Sequence, residues 1–162
     1  MLNIMKRICI PALPVIILFV IFNQSCTQKN VSESRNESIS IEKYLDNHLM
    51  QPAFGGRVLS AHKILLQQDN NIFIWAFLQE YYKKDGKTNI GSAWSVPLVL
   101  NIENTSTEMI IKSHTSPGDG ELYAKDIKRL FPSNIQQEIF DFPGTQEMRE
   151  LEEYSKKRSE RL

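Results

Sequence analysis

The amino-acid sequence predicts an α+β domain, in which one helix precedes a four-stranded antiparallel sheet and two or three helices follow it. Three observations support this fold class. Apolar residues recur with a helical period before residue 52 and again after residue 119. Between these regions lie four stretches rich in branched and aromatic residues, separated by short turns. Because adjacent strands joined by tight turns pair antiparallel, the sheet is expected to be a meander.

The first helix is expected at residues 40–49, where Ser40 is the predicted N-cap. Ile39 precedes Ser40 and Tyr44 follows it by one turn, so their side chains are expected to pack together as a hydrophobic staple. Pro52 then ends the helix. The residues that share its apolar face are Ile41, Tyr44, Leu45, His48 and Leu49.

The four strands are expected at residues 57–67, 72–82, 88–102 and 108–114. The pair Asp85 and Gly86 stands between the second and third strands and is typical of a two-residue hairpin turn. Gly91 and Pro97 fall inside the third strand, where they are expected to mark a bulge or a sheet edge. A helix followed by a meander also resembles the cystatin-like arrangement, in which a sheet curls around a helix; this analogy carries no function.

Helical patterns return after the sheet. Ser133 and Gln136 fit the S-x-x-Q capping box and predict the start of a short helix. Thr145 is expected to begin the last helix, which is mostly charged. Its only apolar stripe consists of Met148, Leu151 and Tyr154, so the helix is expected to be loosely docked, with a frayed end.

Composition excludes several classes of protein. The chain has 162 residues, which is enough for one domain with appendages. It carries 19 basic and 19 acidic residues, and this balance argues against nucleic acid as a partner because such proteins need an excess of positive charge. Two cysteines cannot form a disulfide scaffold.

The N-terminus has the anatomy of a secretory signal peptide. Lys6 and Arg7 precede an apolar run, residues 8–22, which as a helix would span only about 22 Å of the ~30 Å hydrocarbon core. Pro11 and Pro14 would further disturb a spanning helix. A basic start followed by a short apolar stretch is typical of a signal that directs export.

The end of this segment, Phe22-Asn-Gln-Ser-Cys26, resembles a bacterial lipoprotein signal peptide. The resemblance implies that residues 1–25 are removed and that Cys26 becomes the first mature residue, carrying acyl chains that hold it to a membrane of the cell envelope. The alternatives are a plain cleaved secretion signal and an uncleaved N-terminal anchor. Cys9 would leave with the signal, so the mature domain would have no free thiol for a disulfide or a nucleophile.

The predicted mature chain has three parts. Residues 26–37 contain almost no apolar side chains and are expected to form a flexible tether. Residues 38–142 are the α+β domain, and residues 143–162 are the charged C-terminal helix. Removal of Lys6 and Arg7 leaves 17 basic and 19 acidic residues, a net charge of −2. Anionic membrane surfaces should therefore offer the mature chain no general attraction, and the lipid on Cys26 would hold it there.

A second resemblance covers residues 57–140. The stretches 91–100 and 116–132, with Tyr81, Tyr82 and the Asp-Gly turn between the strands, are similar to a small extracytoplasmic domain of bacterial secreted and membrane proteins. That family has no established catalytic residues, so the resemblance implies a location and a non-enzymatic role.

The clearest candidate surface is the aromatic second strand. Phe73, Trp75 and Phe77 lie on one side of this strand, and together with Trp94 they could bind a partner or an apolar ligand. The alternative is that both faces of the strand are covered by helices and the aromatic residues are core.

Other motifs point to no chemistry. The histidines His48, His62 and His114 lack the spacing of metal ligands, and we expect no metal, no cofactor and no catalytic residue. The sequence around residues 118–121 is acidic but lacks the earlier ligands of a calcium loop. The leading hypothesis is therefore a lipid-anchored binding or accessory protein with an envelope partner. The alternatives are a small envelope enzyme that uses a histidine and a carboxylate in a cleft of the curled sheet, and a purely structural envelope protein.

Overall fold

The computed structural model describes residues 24–105 and 108–162, and the side chains from residue 35 onward within these ranges. The chain divides into two compact units after Arg35. The described part of the first unit, residues 24–35, begins helix α1, which runs over Gln24–His48. The predicted signal peptide lies outside the described residues, apart from the backbone of its last two positions, and the side chain of Cys26 also lies outside them.

The second unit, Asn36–Leu162, contains the rest of α1 and a four-stranded antiparallel sheet with strand order β1–β2–β3–β4. The predicted meander is therefore confirmed, and each strand lies within a few residues of its predicted position. The bounds are Arg57–Gln68 for β1, Asn71–Lys84 for β2, Lys87–Asn104 for β3 and Met109–Thr115 for β4.

The irregular positions of the sheet follow from its residues. Asp85 and Gly86 both have positive φ, 52° and 72°, as a two-residue turn that matches the strand twist requires. The register between β2 and β3 shifts at Gly91, so the predicted bulge is confirmed there. Pro97 pairs with Trp75 of β2 and lies beyond the part of β3 that pairs with β4. The missing N–H of Pro97 therefore leaves the β3–β4 ladder intact.

Three helices follow the sheet: α2 Tyr123–Leu130, α3 Ser133–Asp141 and α4 Gln146–Ser159. Thr145 caps α4 as predicted, since its hydroxyl accepts a hydrogen bond from the amide of Met148 at 3.2 Å. The predicted capping box at Ser133 is wrong. The side-chain amide of Gln136 instead donates to the carbonyl of Phe131 at 2.8 Å, which satisfies an acceptor left unpaired at the end of α2.

The sheet is covered on both faces, and each face has its own core. The α1 side buries Ile41, Leu45, Val58, Ile72, Ile74, Ala76, Leu78, Val96, Leu98, Leu100 and Ile102. The side of α2, α3 and α4 buries Ala61, Phe73, Trp75, Phe77, Ile127, Phe131, Ile135, Ile139, Phe142, Met148 and Leu151. All the described residues of both cores lie within the second unit, which therefore contains every core contact that the structure describes.

The first helix begins earlier than the sequence predicts. Ser40 lies inside α1 and its hydroxyl donates to the carbonyl of Asn36 at 3.0 Å, so Ser40 is not an N-cap. Residues 24–48 contain neither Gly nor Pro, and nothing in the chain breaks the helix there. The segment predicted as a tether, residues 27–37, thus has helical backbone; its role as a tether stays a prediction.

The last helix docks more closely than its charge predicts. Ser155 is buried, and its hydroxyl donates to the carbonyl of Leu59 in β1 at 3.2 Å and lies 3.2 Å from the hydroxyl of Tyr81. Tyr154, which belongs to the predicted apolar stripe, is 48% exposed. The prediction of a loosely docked helix is wrong because small serine side chains let the α4 backbone approach the sheet.

Candidate functional site

A buried carboxylate organises the loop between α1 and β1. Glu80 lies on β2 and points to the α1 side of the sheet, where it is fully buried. Its Oε1 accepts hydrogen bonds from the amides of Phe54 and Gly56 at 2.8 and 3.0 Å. Its Oε2 accepts from the amide of Ala53 at 2.9 Å and from the hydroxyl of Ser92 at 2.9 Å. One side chain thus fixes three backbone positions of a loop that has no regular structure.

These hydrogen bonds decide the charge of Glu80. Burial alone would raise the pKa of its carboxyl group, but the backbone amides of Gly56, Phe54 and Ala53 and the Ser92 hydroxyl together lower it to about 2. Glu80 is therefore ionised at every physiological pH. Since an ionised acceptor strengthens each hydrogen bond, the loop is held in one conformation.

Two glycines make room for this arrangement. A side chain at Gly91 would place its Cβ 2.6 Å from Oε2 of Glu80 and 2.9 Å from the ring of Phe54. A Cβ at Gly56 would collide with the backbone carbonyl of Tyr81. The bulge at Gly91 lets β3 pass the carboxylate, and Gly56 lets the loop lie directly against β2.

The pinned loop presents an aromatic ring to solvent. Phe54 is 61% exposed, and its ring stacks on that of Tyr82 with centroids 5.2 Å apart and planes 16° from parallel. A groove of about 330 Å³ runs beside this stack. None of its lining side chains is acidic: they are Phe54, Gly55, Gly56, Arg57, Tyr81, Tyr82, Lys83, Thr88 and Leu162. We refer to this feature as the Phe54 groove.

Positive charge surrounds the Phe54 groove. Arg57 and Lys83 line it, and Lys84 and Lys87 extend from the adjacent β2–β3 hairpin, with all four side chains exposed. Asp85 at the hairpin tip is the acidic residue of this turn. The end of the sheet is thus locally basic, in contrast to the predicted net charge of −2 for the mature chain.

A second cluster joins α1, β1 and α4 beside a cavity of about 460 Å³. The guanidinium of Arg158 contacts Asp46 at 2.8 Å and Glu42 at 3.4 Å and donates to the carbonyl of Ser60 at 2.5 Å. The amide and hydroxyl of Ser60 both donate to Asp46, at 2.6 and 2.7 Å. Burial raises the pKa of Glu42, which Arg158 opposes. Because these groups pair with one another, they hold α1, β1 and α4 together. We refer to them as the Arg158 cluster.

The three histidines lie at the end of α1, in β1 and in β4. His62, in β1, is partly buried, and its Nδ1 has no hydrogen-bond partner among the described residues. Burial, followed by the charge of Arg158, lowers the pKa of His62 to about 4. Nδ1 of His114 lies 2.9 Å from the hydroxyl of Tyr44, whose ring stacks on His48. These contacts lend no support to an enzyme that pairs a histidine with a carboxylate.

The aromatic strand is core, as its alternative interpretation predicts. Phe73, Trp75 and Phe77 are buried beneath α2, α3 and α4, and the ring of Trp75 stacks on Phe142. The prediction that they form an accessible surface with Trp94 is wrong for these three residues. Trp94 lies on the opposite face of the sheet, half-buried against the α1 core. The chain therefore covers its most aromatic strand with its own helices.

Sequence reasoning overlooked Phe54 and Glu80, although both leave a signal. Positions 72, 74, 76, 78 and 82 of β2 are apolar or aromatic, and Glu80 interrupts this face with a charge. A charge at a core-facing strand position requires local donors. Phe54 follows Pro52 and precedes Gly55 and Gly56, which places an aromatic ring in a tight loop.

Comparison with known proteins finds no match: no family model, no curated protein and no solved structure is similar to this chain. Within residues 24–105 and 108–162, no group of three or more potential ligand side chains could hold a metal ion. No helix in the same residues is both long enough and apolar enough to cross a bilayer.

Proposed function

We propose that this protein is a lipid-anchored extracytoplasmic binding protein of the bacterial envelope, attached through Cys26, and that its binding surface is the Phe54 groove. The observation that carries the proposal is the exposure of Phe54 on a loop held by a buried, ionised carboxylate. Most of this ring is left in water, and the exposed part adds nothing to the stability of the fold, because only buried apolar area is favourable. Its retention on a fixed loop is typical of a contact surface.

The rigidity of the loop favours binding. A flexible loop loses conformational entropy when it docks, and this loss reduces affinity. The three amides held by Glu80 remove that freedom before any partner arrives. An aromatic ring presented by a preorganised loop beside cationic side chains is a suitable hot spot for an acidic or amphipathic ligand.

The attachment to the envelope is supported by the N-terminal sequence. A basic start, a short apolar run and a small residue before Cys26 together resemble a lipoprotein signal peptide. Stable attachment needs more than one acyl chain, because a single chain gives only reversible binding.

The attachment is tested by the mass of the mature N-terminus. In a bacterial host with a lipoprotein pathway, the chain should begin at Cys26 and carry acyl chains, and it should partition into the detergent phase. Cys26→Ser should move it to the aqueous phase. A native chain that still begins at Met1, or that stays in the aqueous phase, would refute the attachment.

The binding surface is tested by photo-crosslinking in intact cells. A photoreactive residue at position 54 should form adducts with a ligand of the groove. Phe140 is a matched control, since it is also an exposed phenylalanine, at 38%, on α3. Adducts should form at position 54 and be absent at position 140. Equal labelling at the two positions, or none at 54, would contradict the assignment of the groove.

A further inference from the structure

We propose that the ligand of the Phe54 groove is an anionic lipid surface, so that the folded domain makes its own contact with the membrane. The inference rests on the proposed function only in taking this groove as the binding surface; it does not depend on acylation of Cys26. The proposed occupant is the headgroup layer of a bilayer that contains acidic phospholipids.

The charge of this end of the sheet complements that of an acidic bilayer. Arg57, Lys83, Lys84 and Lys87 lie at one end of the sheet, and the ion pairs of the described residues lie elsewhere, at Lys63, Lys112, Arg129 and Arg158. The ammonium of Lys83 donates to the hydroxyl of Thr88 at 2.7 Å, which leaves two of its three donors available. An acidic headgroup layer supplies the missing anions over an extended area.

Exposed apolar side chains lie at the same end of the sheet as these cations. Phe54 and Ile90, at 61% and 62%, are the most exposed large apolar residues among those the structure describes. Ile90 pairs with Tyr81 across β2 and β3, so it lies at the same end of the sheet as the Phe54 groove. Aromatic and aliphatic side chains beside lysines suit the boundary between headgroups and acyl chains.

This end of the sheet differs in charge from the rest of the molecule. The predicted mature chain has a net charge of −2, so uniform attraction to an acidic bilayer is not expected. Four cations lie together around one groove, and they attract an acidic surface despite the negative net charge. The reason is that electrostatic attraction acts only within about a Debye length of the surface. A bilayer contact through this end would add a second attachment to the lipid on Cys26.

Vesicle binding tests the inference with the unit Asn36–Leu162, which contains both cores and lacks Cys26 and the apolar N-terminal run. The unit should co-sediment with phosphatidylcholine vesicles that contain phosphatidylglycerol and should not co-sediment with phosphatidylcholine alone. Binding should weaken as salt is added. Equal binding to both vesicles, or binding to neither, would overturn the proposal.

Two pairs of variants locate the contact. Lys83→Gln with Lys87→Gln should reduce vesicle partitioning about fivefold for each charge removed. Lys125→Gln with Lys128→Gln, which removes two exposed lysines of α2, should leave it unchanged. Phe54→Ala should reduce partitioning, and Phe140→Ala should not. Circular dichroism of each variant confirms folding. An equal loss in the α2 pair would show that total charge, not this surface, drives binding.

Two further probes separate the lipid surface from other anions. Inorganic phosphate without vesicles should leave the amide NMR signals of Phe54 and Tyr82 in place, and so should an acidic peptide of polyglutamate. Displacement of these signals by either probe at concentrations where vesicles bind would assign the groove to a free anion or to an acidic protein and would overturn the proposal. Failure of the vesicle test with an acylated Cys26 would leave the lipid attachment standing.

Discussion

Two buried glutamates on the α1 side of the molecule have opposite pKa shifts. Glu80 in β2 is fully buried, and Glu42 in α1 is 8% exposed. Hydrogen bonds from three backbone amides and Ser92 outweigh burial at Glu80 and lower its pKa to about 2. Burial dominates at Glu42 and raises its pKa, although Arg158 opposes the shift. Burial depth alone therefore does not set the direction of a carboxylate's pKa shift here; the hydrogen bonds that the carboxylate accepts also decide it.

The two glutamates also do different structural work. Glu42 shares the guanidinium of Arg158 with Asp46 and accepts a hydrogen bond from Tyr154. Its donors are therefore side chains of α4, and Glu42 joins two helices. Glu80 has dedicated backbone donors and fixes a loop. Glu80 therefore fixes a loop that carries an exposed ring, whereas the Arg158 cluster holds α1 and α4 together.

The largest expected effect is that of Glu80→Gln. The substitution replaces one carboxylate oxygen with an NH2 group, which cannot accept hydrogen bonds, and removes the charge that strengthens the bonds to the other oxygen. Thermal unfolding should show the largest loss of Tm among the variants proposed here. Glu103→Gln is the control, since it removes an exposed ion pair with Lys112 that stabilises by less than about 1 kcal/mol. Equal Tm values for the two variants would mean that Glu80 does not organise the loop.

The next effect is that of Arg158→Met, which leaves Asp46 and Glu42 facing each other without a cation. Breaking a partly buried ion pair from one side should lower the free energy of unfolding by about 3 kcal/mol. Chemical denaturation measures this loss. Arg149→Met on the exposed side of α4 should change it by under about 0.5 kcal/mol. A similar small change in both variants would show that the Arg158 cluster does not hold these elements together.

A smaller effect is expected for Gly91→Ala. The new Cβ would press on Glu80 and Phe54, so the variant should lose about 1–3 kcal/mol, as overpacked cores do. Gly144→Ala provides the matched control, because a Cβ there meets nothing within 4 Å. If both alanines are tolerated equally in denaturation, β3 does not pass Glu80 as closely as the structure places it.

The effect that is smallest at neutral pH, and that grows only in acid, is the pH dependence from His62 in the Arg158 region. Its folded pKa of about 4 lies below the ordinary 6.5. As the pH falls between these values, only the unfolded chain gains a proton, so stability falls by up to ~1.4 kcal/mol per pH unit. His62→Gln should remove this slope. The contribution of Glu80 is lost in a lower window, as the pH falls from 4.5 towards 2. An unchanged slope in His62→Gln would contradict the assignment.

Much of the sheet could be predicted because local pattern determines it. The run of branched and aromatic residues at 72–82 and the Asp85–Gly86 turn establish strand positions and pairing without knowledge of distant residues. The start of α1 could not be predicted, because a polar helix and a flexible polar segment have the same composition. The close docking of α4 could not be predicted either, because Ser155 and Arg158 make their contacts with Leu59 and Asp46 across the fold.

The candidate site was missed for a related reason. A loop that ends a helix carries little periodic signal, so Phe54 looks like an ordinary loop residue until its ring is placed on Tyr82. The aromatic strand drew attention because its residues are large, yet the α2–α4 layer that covers it is encoded far along the chain.

Hydrogen exchange of the loop amides tests the central claim most directly. In the unit Asn36–Leu162 at neutral pH, the amides of Ala53, Phe54 and Gly56 should be protected, although they lie in an exposed loop. In Glu80→Gln, their exchange should accelerate at least about tenfold while the amides of β2 stay protected. Loop amides that already exchange freely in the native protein, or that keep their protection in Glu80→Gln, would contradict the account.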